Sequence, residues 1–262
     1  MMEIPAVVLA GQRHGPTALS EAAGVPAEVL VPVAGQPALQ RVLRTLAAAD
    51  SVRAQVIVGP SAAVLGAAPA VAELLEAHGL AWRTPESDPA TSAIAGVEGF
   101  EPPVLITTGD HALLTPAMVD EFCALASSVE ADFVAGLVPW PLVRQAFPDS
   151  RRTVLAFADE PCCGANLFML KSPAGLKALQ FWRHMQQHRK RPQRLARELG
   201  LGLLLRYLLR RLSLAAALDA LSQRVECRLA AVKLTHPAAA VDVDSIADWQ
   251  LAERLLTAEA KQ

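Results

Sequence analysis

Three acidic positions and one glycine-bounded turn carry the chemistry for which this sequence can be read. Asp110 stands immediately past an apolar run, Val104-Leu-Ile-Thr-Thr-Gly-Asp110. A carboxylate there has no easy place in a sheet ladder. It points into the crevice beyond the strand ends, where it can hold Mg²⁺ against phosphate oxygens. Its ordinary alternative is a turn aspartate that caps the next helix. Asp242 and Asp244, in Val241-Asp-Val-Asp244, alternate along a segment read as extended, so both project to one side. Two carboxylates on one face repel unless a cation sits between or beside them, which again favours a metal. The turn Gly11-Gln-Arg-His-Gly15 offers backbone N–H groups where glycines let a ligand approach, with Arg13 as a fixed cation. Those are the parts a nucleotide phosphate needs. The turn is not a dinucleotide fingerprint, because a third glycine is missing, and it is not a P-loop, because no Gly-Lys-Ser/Thr follows.

Each of these groups needs an element to place it. Ala6 to Ala10 run apolar without alternation, as a strand buried on both faces of a parallel sheet does. The loop that follows leaves the carboxyl edge of that strand, where open α/β sheets bind ligands. Val29 to Val33 reads as a short extended segment ending at Ala34-Gly35. Leu39, Val42, Leu43 and Leu46 recur at helical spacing. Strand 54–59, helix 70–78 and strand 80–83 then set a βαβ rhythm. In Pro85 to Gly96, Thr91 and Ser92 sit where hydroxyls either cap a helix or bind an anion. Strand 104–110 is followed by a helix opened by Thr115-Pro116. Further strands are expected over 132–139, 153–158, 164–170, 227–234 and 238–244, with Asn166 near the start of the third. Residues 176–218 read as helical. A final helix carries Ser245 and Asp248 at capping-box spacing, with Trp249, Ala252, Leu255 and Leu256 as its buried stripe.

The totals narrow the classes. A chain of 262 residues can bury a substantial core, and one domain is expected, with a basic, Leu-rich helical insertion at about 174–222. A net charge of -2 gives no global field for nucleic acid. Hydrophobic content is 52%, yet no uncharged run approaches the length of a membrane span, and the nearest candidate, 199–218, carries Arg206, Arg210 and Arg211. The first residues lack a basic leader pattern, so a cytoplasmic protein is expected. Cys123, Cys162, Cys163 and Cys227 show no metal or redox spacing and read as reduced interior thiols. Arg183, His184, His188, Arg189, Lys190, Arg191, Arg194 and Arg197 form a cation-dense run. It reads as a solvated face, a lid over a phosphorylated acceptor, or a surface for peripheral contact with anionic lipid beside the Leu-rich segment. A homo-oligomer interface would have the same Leu-rich appearance.

With these pieces in place, the chain resembles the molybdenum cofactor guanylyltransferase-like (MobA-like) family of nucleotidyltransferases, within the wider nucleotide-sugar pyrophosphorylase superfamily. The resemblance rests on Val8-Leu-Ala-Gly11, Leu30-Val-Pro-Val-Ala-Gly-Gln-Pro37, Thr107-Thr-Gly-Asp110, Gly164-Ala-Asn166, and Val241-Asp-Val-Asp244 with Asp248. It implies an α/β fold, a three-layer αβα sandwich with a mostly parallel sheet, similar to GT-A glycosyltransferases. It also implies a nucleoside triphosphate, GTP or CTP, held at Ala10, Gly11, Ser92, Thr108 and Gly109, with Arg13 and Asp110 in catalytic roles. Asn166 would meet a phosphorylated small-molecule acceptor. Mg²⁺ would sit on Asp110 with Asp242 or Asp244. The acceptor phosphate attacks the α-phosphorus and pyrophosphate leaves, so the protein positions groups and neutralises charge.

Two positions depart from the family pattern. Glu28 stands where a lysine is usual, two residues before Leu30, and Gln12 stands where a second glycine is frequent. A glutamate would repel a triphosphate by about 1 kcal/mol at a solvated site, with Arg13 or His14 as the substitute cations. This leaves a second reading, a nucleotide-binding protein without turnover in a regulatory or scaffolding role. The joint presence of three acids favours the enzyme. A glycosyltransferase using Asp242-Val-Asp244 fits less well, because such pairs normally lie mid-chain.

Overall fold

A computed structural model describes residues 4–11, 15–188 and 200–259. Arg13 and His14, and the cations from Arg189 to Arg197, lie outside the described residues. The sheet is seven-stranded: β1 (Ile4–Leu9), β4 (Val52–Val58), β5 (Ala81–Arg83), β6 (Val104–Thr108), β7 (Phe133–Pro139), β8 (Cys162–Leu170) and β9 (Leu229–Lys233). Its spatial order is β5-β4-β1-β6-β8-β7-β9. Only β8 runs against its neighbours, β6 and β7; the other adjacent pairs are parallel. Two short strands, β2 (Pro32–Val33) and β3 (Gln36–Pro37), form a separate hairpin turned by Ala34 and Gly35, both at positive φ. The extended reading of 29–33 thus holds only for its last two residues, because Glu28 to Leu30 coil into a 3-10 turn.

Alternation along β1 explains the layers. Ala6, Val8 and Ala10 join one core cluster, whereas Val7 and Leu9 join the other. On the first face lie α2 (Ala38–Ala48), α4 (Pro69–Ala77) and α6 (Pro116–Ser128). Leu39, Val42, Leu43 and Leu46 of α2 are fully buried there, each contributing about 1.5–3 kcal/mol. The second face is covered by α5 (Pro89–Val97) and α8 (Leu176–His188). A Cβ on Gly96 would come 2.4 Å from Val7 Cγ1, so α5 lies directly against the strand that opens the candidate site. Helices therefore cover both sides of a mostly parallel sheet, as expected.

Several elements differ from expectation for identifiable reasons. Thr17 caps α1 (Ala18–Ala23) with a reciprocal Ser20 bond, in a stretch that sequence alone leaves as small and polar. The short helices α3 (Ala62–Gly66) and α7 (Trp140–Ala146) were likewise too brief to show a period. The start of α5 is capped by Asp88, not by Thr91 or Ser92. Residues 153–158 form no strand. Their backbone is spread over several partners: Leu155 bridges to Cys162, Ala156 N donates to the Tyr207 hydroxyl, and Ala158 N donates to the Leu212 carbonyl. The 176–218 stretch is not one helix. Within the described residues it gives α8, α9 (Leu201–Leu208) and the start of α10 (Leu214–Val225).

Residues 238–244 also form no strand. Pro237 to Ala240 make a 3-10 turn, and the segment beyond lies against the Asp110 turn without joining the sheet. The alternation survives, since Val241 and Val243 are fully buried while Asp242 and Asp244 are not. The final helix, α11 (Ile246–Glu259), packs through Trp249 and Ala252 onto Leu19, Val31, Val33 and Leu113. All four cysteines are buried free thiols. Among the described residues no helix is long and apolar enough to cross a membrane.

Candidate functional site

The carboxyl ends of β1, β4 and β6 meet at one edge, and the parallel ladder continues one residue past them. Ala10 N donates to Val58 O, Gly59 N to Arg83 O, and Gly109 N to Leu9 O, each at 2.9 Å. Ala10 has its side chain in the core, so its backbone is what it offers at the edge. Gly59 has φ 91°, and a Cβ there would sit 2.7 Å from the Ala10 carbonyl oxygen. Only glycine fits that contact. A Cβ on Gly109 would be 3.0 Å from Leu39 and 3.2 Å from Ala10. These glycines draw three strand ends together behind the opening turn, of which Gly11 is exposed.

Ser92 is buried, and its hydroxyl accepts from Glu86 N at 3.0 Å. It therefore shapes the 85–88 loop beside Gly11, with Pro85 only 3.6 Å from where a Gly11 Cβ would be.

Asp110 is where the C-terminal acidic segment meets the sheet edge. Its carbonyl accepts from Val243 N at 3.1 Å, which seats the C-terminal acidic segment against the end of β6. Asp110 Oδ1 and Thr108 Oγ1 are buried with no hydrogen-bond partner of good geometry. Burial pushes the Asp110 carboxyl up to about 7. The nearby Thr108 hydroxyl opposes the shift, and the charges of Asp244 and then Asp242 add to it. An acid so placed is unstable as an anion unless a cation compensates it.

The two C-terminal acids have different surroundings. Asp242 Oδ1 accepts from Arg152 Nη1 at 2.8 Å, and its Oδ2 accepts from Asn166 Nδ2 at 3.1 Å. Arg152 is nearly buried, its side chain 6% exposed, and its other Nη donates to Asp248. Ser245 caps α11 as expected, accepting from Asp248 N at 3.2 Å, but the carboxylate of Asp248 is shared with Arg152. Asp244 is exposed. It lines a shallow depression with Thr17, Leu19, Glu28, Ser245 and Ile246. Glu28 therefore opens onto the same surface as Asp244. Asn166 adopts φ 48° within β8, a conformation that asparagine tolerates better than most side chains. Thr107 pairs with Leu167, so Thr108 and Asn166 come next at the same edge.

The structure thus brings Thr108, Gly109, Asp110, Asn166, Asp242 and Asp244 together, with Ala10 and Gly11 alongside. Among the described residues no group of three His, Cys, Asp or Glu side chains is already arranged as a metal cage. The donor set is nevertheless one that suits a hard cation: a partnerless buried carboxylate oxygen beside two further acids. Asp110 supplies the partnerless oxygen, whereas Asp242 is held by Arg152 and Asn166.

Two residues of the site were not singled out as members by sequence reasoning. Arg152 lies in the loop before β8, and nothing in its sequence neighbours announces a partner far along the chain. His111 is 1% exposed, and its ring nitrogens lack partners of good geometry near the carbonyls of Ala238 and Ala239. Burial pushes its pKa down to about 4 against the pull of Asp242, so it is neutral.

Comparison with known proteins agrees with this architecture. Residues 6–139 match the family model of the MobA-like NTP transferase domain. A hypothetical transferase from Thermus thermophilus is 32% identical, with TM-score 0.78, over 95% of this chain and 100% of that one. A cytidylyltransferase from Leptospira borgpetersenii serovar Hardjo-bovis superposes with TM-score 0.56 at 12% identity, over 98% of this chain and 88% of its own. CMP:2-keto-3-deoxy-manno-octonic acid synthetase complexed with CTP superposes with TM-score 0.55 at 13% identity, over 99% and 100%. No curated protein matches the chain by sequence. The fold is that of nucleotide-diphospho-sugar transferase-type nucleotidyltransferases, and the chain belongs to the MobA-like NTP transferase family.

Proposed function

We propose that the protein is a divalent-cation-dependent nucleotidyltransferase that transfers a nucleoside monophosphate from a triphosphate to a phosphorylated small molecule. The observation that carries this reading is the partnerless buried oxygen of Asp110 beside Asp242 and Asp244, at the edge where Ala10, Gly59 and Gly109 bring backbone close. Mg²⁺ held by Asp110 and Asp244 would neutralise phosphate charge and steady the departing pyrophosphate. The chain's own groups do the positioning. The Ala10–Gly11 backbone and the 85–88 loop behind Ser92 receive the nucleotide, and Asn166, fixed by Asp242, faces the acceptor side. An acceptor phosphate oxygen bonds to the α-phosphorus while the bond to the β-phosphate oxygen breaks, releasing pyrophosphate. Arg13 is the cation proposed to meet the phosphates from the first turn.

CTP is the first nucleotide to test, because the superposing structures include a cytidylyltransferase and a CTP-bound synthetase. GTP is the second, from the family resemblance. A second reading, binding without turnover, is favoured by one observation: Glu28 shares its depression with Asp244, where a triphosphate would meet two anions. Pyrophosphate release with CTP, GTP, ATP and UTP, with and without Mg²⁺ and with sugar phosphates as acceptors, separates the two. Release dependent on Mg²⁺ and lost in Asp110→Ala supports the enzyme. Nucleotide binding that requires Asp110 but gives no release from any acceptor until Glu28→Lys is introduced supports the second. Absence of nucleotide binding contradicts both.

A further inference from the structure

We propose that α9 is a docking element for an anionic lipid bilayer surface, a property independent of the nucleotide chemistry. Leu201, Leu205, Leu208 and Leu209 are 74%, 57%, 68% and 56% exposed. Among the described residues the other exposed large hydrophobic side chains, Leu142 at 37% and Ile246 at 41%, are less exposed and lie elsewhere in the sequence, so this cluster stands apart from scattered surface leucines. At helical spacing the first three share one stripe, and Leu209 borders it. The opposite side of α9 attaches the helix to the body. Tyr207 packs edge-on against Phe157 at 6.1 Å, and its hydroxyl accepts from Ala156 N at 3.1 Å. The outward direction of the leucines is therefore set by a tyrosine anchored inward.

Charge identifies the occupant. From 199 to 218 the sequence holds Arg206, Arg210 and Arg211 and no acidic residue. The helix closes with Arg210 at φ 54°, its N–H donating to Tyr207 O at 2.9 Å while Arg211 N donates to Arg206 O at 2.8 Å. Glycine would fill that left-handed position at lower cost, yet an arginine stands there. At the other end, Arg224 Nη2 lies 3.1 Å from where a Gly200 Cβ would be, so a fourth guanidinium flanks the start of the leucine stripe. Among the described residues none of these four is in an ion pair. Two acids of the adjoining loop are engaged elsewhere: Asp159 accepts from Leu214 N, and Glu160 pairs with Lys233. A leucine face flanked in sequence by arginines that make no ion pair among the described residues matches the interfacial helix, whose apolar side enters the acyl boundary while cations meet anionic headgroups. Two copies meeting through this face would instead oppose like charges.

The test is sedimentation of the full-length protein with vesicles of equimolar phosphatidylglycerol and phosphatidylcholine, against phosphatidylcholine alone. Binding is expected to the anionic vesicles, falling at high salt. Leu201→Ser/Leu205→Ser/Leu208→Ser should lower it by at least about tenfold, and each of Arg206→Gln, Arg210→Gln and Arg211→Gln by about fivefold. Because all of these side chains are exposed, melting temperatures should stay close to wild type. Absence of binding, equal binding to both vesicle types, or undiminished binding by the leucine variant overturns the proposal. So does a dimer seen by light scattering that dissociates in the leucine variant, since it would assign the face to a second copy.

Discussion

The amide of Val243 donates to the carbonyl of Asp110 at 3.1 Å, and this one bond fixes the C-terminal acids beside the end of β6. Asp242 falls on one side of Val243 and Asp244 on the other. The first is clamped by Arg152 and Asn166, and the second opens on solvent. The site is therefore built from segments far apart in the sequence, with Arg152 from the loop before β8 as the tie. Four consequences can be measured.

Arg152 compensates two acids at once in a nearly dry setting. Arg152→Met leaves Asp242 and Asp248 without their cation, and a loss of about 3–5 kcal/mol is expected from breaking a buried pair. Urea unfolding measures it. In a double-mutant cycle Arg152→Met and Asp242→Asn should be strongly non-additive, because both remove the same contact.

Without a bound cation, Asp110 should make stability fall with rising pH. Its carboxyl is raised to about 7, from an ordinary value of 3.8, by burial first and then by Asp244 and Asp242. Between those values the folded protein keeps a proton that the unfolded chain has released, so stability declines from about pH 4 and levels off above about pH 7. In the presence of a chelator, Asp110→Asn should flatten this slope and be the more stable protein at pH 8, by about 1–4 kcal/mol. Thermal melts across pH read the difference.

Gly59→Ala should be destabilising, because its Cβ would fall 2.7 Å from the Ala10 carbonyl and its φ of 91° disfavours any side chain. A cost of about 1–3 kcal/mol is expected. The displacement falls on the Ala10–Gly11 backbone, so nucleotide-induced stabilisation should shrink by more than the loss of stability alone accounts for. Melts with and without CTP separate the two effects.

Glu28→Lys should tighten nucleotide binding. At about 4 Å in water each unit charge is worth about 1 kcal/mol, so reversal gives roughly tenfold or more in Kd, decreasing with salt. Calorimetric titration with CTP and GTP at two ionic strengths measures it.

Much of the fold was legible because its signals are local. The unbroken apolar run of β1 and the 3.6-residue stripe of α2 each report burial on their own. The acids at 110, 242 and 244 could be singled out because carboxylates just past apolar runs have few structural uses. The strand status of 238–244 was not legible. Alternating Val and Asp does not distinguish a chain lying on a sheet from one lying against a turn, and Val243 bonds to Asp110. Residues 153–158 misled for a related reason, since their backbone groups bond to Cys162, the Tyr207 hydroxyl and Leu212 instead of joining a ladder. Arg152 was beyond local reading altogether, because its worth depends on Asp242 and Asp248, which only the closed fold brings within reach.

The most direct test of the cation site is Mn²⁺ binding followed by electron paramagnetic resonance, with CTP or GTP present, on wild type, Asp110→Asn and Asp244→Asn. The account predicts bound Mn²⁺ in the wild-type nucleotide complex and an affinity at least about tenfold weaker in each variant. Wild-type Mn²⁺ affinity in both variants would contradict it.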